Sequence, residues 1–350
     1  MEPHVLCLCG GGLRNGGIGA DPRSKRCRSL PVCHLQGMIN VKQTTLADRV
    51  VIKGIGVHSG QPACVVLHPS EPHSGISFLR THLAHGRERM IEARNHAVRN
   101  TELCTVIGDE SGATISTVEH LMSALAGLGV DNVVVEVDGP EMPILDGSAR
   151  LFVDAIDQVG IVTQSALRKV IKVLKPVRVE HGASVVELLP RDAGFRLDLE
   201  IAFENPVIGR QAYGFELAAD RYRREISSAR TFGFMRDVER LWKAGLALGA
   251  SLENTVAVGE NKVVNPEGLR FPDEFVRHKL LDAIGDLALA GHAIQGHYKA
   301  FCPGHKFNIM VLDALFSDRS AYAILEPARR PVRGLGDALQ AMPAYAPDLN

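Results

Sequence analysis

The chain has 350 residues, of which 45% are hydrophobic and 23% are charged, the composition of a globular protein long enough for two ordinary domains. Its 39 basic and 40 acidic residues nearly cancel, so no overall charge favours nucleic acid or an anionic membrane as a partner. The longest apolar run, LMSALAGLGV at 121–130, is too short to span a bilayer. We therefore expect no nucleic-acid partner and no stable membrane insertion.

The first 37 residues differ from the rest of the chain. They are rich in Gly and Arg, show no periodicity, and hold four of the seven cysteines: Cys7, Cys9, Cys27 and Cys33. These spacings match no common zinc motif, and the segment lacks the basic start and apolar stretch of a signal peptide. A metal knuckle is the alternative, but we expect a disordered extension at 1–37, with Met38 as an alternative start. The remaining scattered cysteines are typical of reduced thiols in a cytoplasmic protein.

The first half after Met38 alternates short apolar segments with Gly, Pro, Asp and Ser, the pattern of strands joined by turns. The predicted strands are 39–46, 49–60, 62–69, 75–81 and 132–139. One predicted helix begins near Ser116, and a second covers 149–160. A turn-rich loop is predicted at 138–148.

The second half begins again with strands. Strands are predicted at 168–182, 183–191, 194–203 and 296–302, a strand–helix–strand at 231–264, and helices at 273–291 and 304–316. VVLHPSEPHSGISF at 65–78 and VELLPRDAGFRL at 186–197 share a strand, a Leu-x-Pro, a polar turn and a second strand. This weak repeat indicates two similar α+β domains, each a layered sandwich of sheet and helices. We predict domains at 38–165 and 166–335, an insert at about 231–264, and a tail at 336–350.

An ionisable stripe interrupts the apolar helix predicted at 273–291. In RHKLLDAIGD, His278, Asp282 and Asp286 share one face, because residues four apart lie one turn apart. His and Asp at this spacing can bind one metal ion, although a catalytic zinc needs a third protein ligand from elsewhere. The alternative is a structural His–Asp pair.

A second candidate is STVEHLMSA, at 116–124. Ser116 to Glu119 fits a capping box, which would make Glu119 a helix-starting residue. The alternative is chemical: His120 binds a metal and the adjacent Glu119 serves as a general base.

Two further segments hold polar side chains of types that serve in catalysis. His305, in PGHKFN, is either a solvated loop residue or a proton donor to a leaving amine. Thr231, in SSARTFGF, lies beside Phe232 and Phe234. Its hydroxyl can stabilise an oxyanion, whereas the alternative is a strand whose Phe residues belong to the core.

Together these segments resemble the zinc-dependent UDP-3-O-acyl-N-acetylglucosamine deacetylase family of lipid A biosynthesis in Gram-negative bacteria. The matching segments, in order from Met38 to the 330s, are GIGVHSG (54–60), ISTVEHLMSALAGLGVDN (115–132), PILDGSA (143–149), SARTFGFMRDVE (228–239), LRFPDEFVRHKLLDAIGDLAL (269–289) and GHKFN (304–308). The resemblance implies hydrolysis of the N-acetyl group of a UDP-linked acylated amino sugar, in the cytoplasm, by a monomer. Another acylated amino sugar as substrate, or a non-catalytic binding protein on the same fold, are the alternatives.

The resemblance also implies roles for individual residues. The implied metal ligands are His120, His278 and Asp282, which would hold zinc, with iron as an alternative that the ligand types allow. The implied catalytic residues are Glu119 as general base, His305 as a protonated group paired with Asp286, and Thr231 at the oxyanion. The implied substrate-binding residues are Lys279, Phe232 and Phe234. In the family the insert forms a passage for the acyl chain, and here it contains Met235, Val238, Trp242 and Leu246.

Overall fold

The structure, a computed structural model, describes residues 41–83 and 86–326. The predictions made for 1–37, with its four cysteines, and for the tail at 336–350 lie outside the described residues.

Within the described residues, the first half of the chain contains ten strands and two helices, and five of these strands form one sheet. Its strands are β1 (Lys42–Leu46), β2 (Val50–Ile55), β3 (Pro62–Pro69), β4 (Ile76–Arg80), β5 (Arg89–Glu92), β6 (Val98–Asn100), β7 (Val106–Gly108), β8 (Thr114–Ile115), β9 (Val133–Val137) and β10 (Ile161–Leu167). Its helices are α1 (Glu119–Leu128) and α2 (Arg150–Val159). The sheet has the order β2-β3-β9-β4-β5, in which β4 is parallel to β9 and the other pairs are antiparallel.

The described part of the second half contains nine strands and four helices, and seven of these strands form one sheet. Its strands are β11 (Val170–Val173), β12 (Val177–His181), β13 (Ser184–Leu189), β14 (Phe195–Ala202), β15 (Arg210–Glu216), β16 (Phe232–Phe234), β17 (Val256–Val258), β18 (Ala293–Phe301) and β19 (Tyr322–Leu325). Its helices are α3 (Ala219–Glu225), α4 (Val238–Lys243), α5 (Glu274–Ala288) and α6 (His305–Ser317). β16 and β17 form a separate parallel pair joined through α4, which confirms the strand–helix–strand insert.

The two halves share one topology. β12-β13-β18-β14-β15 follows the order of β2-β3-β9-β4-β5, with β14 parallel to β18 as β4 is to β9. The weak sequence repeat falls on β3–β4 and on β13–β14, which occupy equivalent positions. Helices correspond as well, because α2 packs on β2 and α6 packs on β12. The predicted α+β class with two similar layered halves is therefore confirmed, while the boundary at 165/166, inside β10, stays a prediction.

The core lies where α1 and α5 pack on one another. Both helices are buried around nearly their whole circumference, as expected for helices enclosed on all sides. β3 and β14 alternate buried and partly exposed residues, so one face of each sheet contributes to the core. Polar side chains on the facing sides of α1 and α5 are therefore removed from water and need partners.

Several elements differ from the sequence predictions. α1 begins at Glu119 instead of Ser116, the strand predicted at 49–60 ends at Ile55, and 168–182 is broken into β11 and β12. The elements that the sequence analysis did not anticipate are β5, β6, β7, β8, β10, β15, β19 and α3. Three of these strands are only two or three residues long, too short to show alternation.

No helix in the described part of the chain is long and apolar enough to cross a membrane.

Candidate active site

Packing of α1 on α5 brings three predicted metal ligands together. His120 lies in the first turn of α1, and His278 and Asp282 lie one turn apart on α5. Their ligand atoms are all within 4.8 Å of one another, and all three residues are buried. Asp282 Oδ1 is 3.3 Å from His278 Nε2 and 3.6 Å from His120 Nε2. The third side chain that a catalytic metal site on this helical stripe would need is therefore present on the other helix.

The environment of these three side chains fits a divalent cation. Asp282 Oδ1 is buried and has no hydrogen-bond partner among the described residues, although an unsatisfied buried carboxylate oxygen is strongly unfavourable. His278 donates from Nδ1 to the carbonyl oxygen of Ala229 at 3.1 Å, which turns Nε2 towards Asp282. Burial lowers the pKa of His278 to about 3, so its imidazole is neutral, as a metal ligand must be.

Lys279 completes the surroundings of Asp282. Its Nζ donates to Asp282 Oδ2 at 2.9 Å, and the Lys279 side chain remains 23% exposed. Burial alone would raise the pKa of Asp282, but the neighbouring Lys279 ammonium opposes it, and that pKa lies well below its usual range. Asp282 is therefore ionised, with one oxygen bound to Lys279 and the other directed to the two imidazoles.

Glu119 lies beside the three ligands with its carboxylate buried. Its Oε2 accepts a hydrogen bond from the backbone N–H of Thr105 at 3.1 Å, and its Oε1 is 3.9 Å from His305 Nε2. Burial raises the pKa of Glu119 to about 7, against the opposing charge of His305. A carboxyl group with this pKa can both accept and release a proton near neutral pH.

The capping-box interpretation of Glu119 is wrong. Val118 occupies the N-cap position of α1, and within the part of the chain that the structure describes no side chain caps that end. Thr117 has a φ of +61°, rare for a β-branched residue, and its hydroxyl donates to Glu141 at 3.1 Å. The Glu119 side chain therefore does not cap the start of its own helix, because Thr117 is in the left-handed conformation and α1 begins only at Glu119.

His305 and Asp286 form a buried pair on the other side of Glu119. His305 is the first residue of α6 and only 9% exposed, so the solvated-loop interpretation is wrong. Its Nδ1 lies 2.9 Å from Asp286 Oδ2. Burial alone would lower the pKa of His305, but the charge and hydrogen bond of Asp286 outweigh it and raise the pKa to about 9. The imidazole is thus protonated at neutral pH.

Thr105 is a site residue that sequence analysis missed. Its backbone N–H donates to Glu119, and its hydroxyl donates to Asp286 Oδ1 at 2.6 Å, so one residue contacts both carboxylates. Asp286 Oδ2 also accepts from Asn308 Nδ2 at 2.8 Å. Thr105 carries no charge and lies in none of the matching segments, so the sequence offers no signal for it, whereas Asn308 is the last residue of GHKFN.

The predicted substrate-binding residues border this cluster on one side. The Phe232 ring is 5.0 Å from that of Phe275 and 6.3 Å from that of His278, and Lys279 Nζ is 5.6 Å from its centre. Phe234 lies farther out, 5.9 Å from the Phe203 ring. Both residues are partly exposed instead of fully enclosed in the core.

Thr231 is held through its backbone. Its N–H donates to Gly147 at 2.7 Å, and its carbonyl oxygen accepts from Val256 at 2.8 Å. The exposed large apolar side chains in the described insert are Met235, Trp242, Leu248, Leu252 and Val264, of which Trp242 is the most exposed at 56%. The insert therefore presents apolar side chains to solvent.

Comparison with known proteins agrees with this arrangement. Residues 43–317 match the model of the family described as LpxC: UDP-3-O-acyl N-acetylglycosamine deacetylase. The chain belongs to this family. It is 49% identical over 289 residues to proteins named UDP-3-O-acyl-N-acetylglucosamine deacetylase from Brucella ovis, Brucella abortus and Brucella melitensis. For the Brucella ovis protein the match covers 82% of this chain and the whole of the relative. The three predicted ligands, Glu119 and His305 lie within the residues that match the deacetylase family.

Proposed function

We propose that this protein hydrolyses the N-acetyl group of UDP-3-O-(hydroxyacyl)-N-acetylglucosamine, releasing acetate and the free amine, as the committed step of lipid A biosynthesis. The substrate class comes from the names of the relatives. The observation that carries the proposal is the convergence of His120, His278 and Asp282 beside two further titratable groups, Glu119 and His305, in one buried site.

The proposed cofactor is a zinc ion held by His120, His278 and Asp282. Two imidazoles and one carboxylate are a common ligand set of catalytic zinc sites, which use three protein ligands and keep one position open. Iron is the alternative that the same ligands admit. When bound, such a cation would polarise the amide carbonyl and make a water molecule more acidic.

Glu119 is the proposed general base. Its carboxylate removes a proton from the water molecule whose oxygen attacks the acetamide carbonyl carbon. The raised pKa of about 7 suits this transfer, because a general base is most effective when its pKa lies near the working pH. The hydrogen bond from the Thr105 N–H keeps one carboxylate oxygen in place while the other remains available.

His305 is the proposed general acid. When the C–N bond breaks, the departing nitrogen needs a proton, and the imidazolium stabilised by Asp286 can supply it. Glu119 and His305 lie 3.9 Å apart, with pKa values of about 7 and about 9. Near neutral pH one group can therefore accept a proton while the other holds one, which supports two residues with separate tasks.

Substrate contacts are proposed for Thr231, Lys279, Phe232 and Phe234. The Thr231 hydroxyl would stabilise the oxyanion that develops on the carbonyl oxygen. Lys279 is a partly exposed cation beside the ligands, suited to the polar sugar and phosphate portion, and the Phe232 ring can pack against a sugar. The exposed apolar residues of the insert would bind the acyl chain.

The test is an acetate-release assay with the purified protein, which we expect to be a cytoplasmic monomer with about one zinc per chain, consistent with one three-ligand site. The acylated UDP-sugar, the same sugar without the acyl chain, and free N-acetylglucosamine are compared. We expect efficient release only from the first. Comparable release from free N-acetylglucosamine would refute the substrate, and tight binding without release would favour a non-catalytic protein.

A further inference from the structure

Arg230 and Glu274 form a buried ion pair next to the active site that the proposed mechanism does not use. Arg230 is 2% exposed, although arginine is rarely found fully buried, and Glu274 is 0% exposed. Arg230 immediately precedes Thr231, and Glu274 is the first residue of α5, the helix that holds His278 and Asp282. The pair therefore joins two segments of the site.

The contacts of Glu274 fix the backbone as well as the side chain of Arg230. Glu274 Oε1 accepts from both the backbone N–H and the Nε of Arg230, each at 2.9 Å. Its Oε2 accepts from Arg230 Nη2 at 3.2 Å and from the backbone N–H of Arg270 at 2.6 Å. The guanidinium also donates to Glu267 Oε1 and to the carbonyl oxygen of Gly268, both at 2.7 Å.

The residues on either side of Arg230 are those that touch the chemistry. The carbonyl oxygen of Ala229 accepts the hydrogen bond from His278 Nδ1, which orients this ring towards Asp282. Thr231 carries the hydroxyl proposed for the oxyanion. Glu274, His278 and Asp282 are spaced four residues apart, so they share one face of α5. The ion pair therefore holds Ala229 and Thr231 against the same helix face that holds two ligands.

Stability alone is a poor reason for such a pair. Desolvating two charges is so unfavourable that a well-packed apolar pair of similar volume is often equally stable or more stable. The affinity of an imidazole for a metal ion, in contrast, depends on the hydrogen-bond partner of its other ring nitrogen. Loss of that partner weakens metal binding about 10- to 100-fold. The geometry here places the ion pair one residue away from such a partner.

We propose that Arg230 and Glu274 are positioning residues that hold the Ala229 carbonyl on His278 and the Thr231 hydroxyl at the reaction centre in one alignment. Metal affinity and turnover then depend on the same ion pair. This inference rests on the proposed function, and it adds to that function a coupling between the metal site and the oxyanion site.

The experiment compares Arg230→Lys, Glu274→Gln and the apolar double variant Arg230→Met/Glu274→Leu with wild-type holoenzyme. Arg277→Lys is the matched control, because Arg277 lies on the same helix but contacts Asp273, the Tyr213 hydroxyl and the Glu225 carbonyl instead of residues 229–231. For each protein the melting temperature, the zinc dissociation constant by chelator competition, the visible spectrum after cobalt substitution, and kcat and KM are measured.

We expect zinc binding about 10- to 100-fold weaker in the three variants, with an altered cobalt spectrum and a lower kcat at nearly unchanged KM. The apolar double variant should melt near the wild-type temperature and still show these losses, and Arg277→Lys should match wild type throughout. A lower melting temperature with unchanged zinc affinity, spectrum and kcat in Arg230→Lys and Glu274→Gln would overturn the proposal. These two variants decide it even if the double variant does not fold. Absence of acetate release in wild type would instead refute the proposed function.

Discussion

Gly285 lies directly against the backbone carbonyl of Glu119, so closely that a Cβ on Gly285 would be 2.0 Å from that oxygen. This contact sets the spacing of α5 and α1 at the point where the two helices face the site. Glu119 and the predicted ligand His120 enter the site from α1, and the predicted ligands His278 and Asp282 enter from α5. The distance between the predicted ligands of the two helices therefore depends on the absence of a side chain at Gly285.

Replacing Gly285 with Ala should separate the two helices. The obstructing atom belongs to the backbone and cannot move aside as a flexible side chain would, so we expect a destabilisation of about 1–3 kcal/mol from overpacking. Displacing Glu119 by even about 1 Å should lower kcat about 100-fold. Denaturant unfolding and the acetate-release assay measure both effects. Ala288→Ser adds one atom to the same helix and should change neither; equal effects of the two variants would contradict this account.

The pH dependence of activity should depend on Asp286. Glu119 must be ionised to accept a proton, so activity falls as pH drops through its pKa of about 7, or lower once a bound cation stabilises the carboxylate. His305 must be protonated, so activity falls again as pH rises through about 9. These limits give a bell-shaped profile of kcat/KM.

In Asp286→Asn, the charge that raises the His305 pKa is absent, and burial, which lowers it, acts without that opposition. The alkaline limb should therefore move to lower pH. Profiles from about pH 5 to pH 10 measure this shift, with Asp313→Asn, a more exposed carboxylate on α6, as the control. An alkaline limb that stays in place in Asp286→Asn would exclude His305 as the acid.

Lys279 should affect substrate binding more than chemistry. Removing its charge in Lys279→Met deletes a charge-assisted contact worth about 1.5–3 kcal/mol, so KM should rise about tenfold or more. Asp282 loses a partner at Oδ2 but keeps Oδ1 for the metal, so zinc content should stay near the wild-type value. Steady-state kinetics and metal analysis test this, with the exposed Lys299→Met as the control. An unchanged KM would remove Lys279 from the substrate site.

Asp282 should make the stability of the protein dependent on metal. Zinc that binds only the folded state at a hundredfold excess over its dissociation constant stabilises by about 2.7 kcal/mol. Chelation should therefore lower the melting temperature of wild type, whereas Asp282→Ala should bind little zinc and melt at the same temperature with and without a chelator. Asp154→Ala, an exposed carboxylate on α2, should behave as wild type does. A zinc-dependent melting temperature in Asp282→Ala would place the metal elsewhere.

Strong periodicity made the long elements predictable. β3 lies at the predicted residues 62–69, and α5 lies within the predicted 273–291, because apolar residues recur there with the period of the element. Thr117 shows the limit of such local patterns. Its segment fits a capping box, but its conformation is accompanied by a hydrogen bond to Glu141, a partner 24 residues away that no local pattern reveals.

The site was predictable mainly through resemblance. From the residues alone, a structural pair is the favoured interpretation of His278 and Asp282, since their pairing with His120 depends on how two distant helices pack. The polar stripe on α5 begins at Glu274, one turn before His278, the first residue of the predicted stripe. Arg230, the partner of Glu274, lies 44 residues away in sequence. Thr105 donates to two carboxylates that lie 14 and 181 residues from it, and no sequence spacing indicates such a contact.

In the proposed mechanism, Glu119 transfers a proton beside a metal ion that it does not help to bind. Metal content and kcat measured together on wild type and Glu119→Ala test it most directly. We predict about one zinc per chain in both proteins, since the three ligands remain, and a kcat about 100- to 10,000-fold lower in Glu119→Ala. Full activity of Glu119→Ala, or an active wild-type enzyme without metal, would contradict the account.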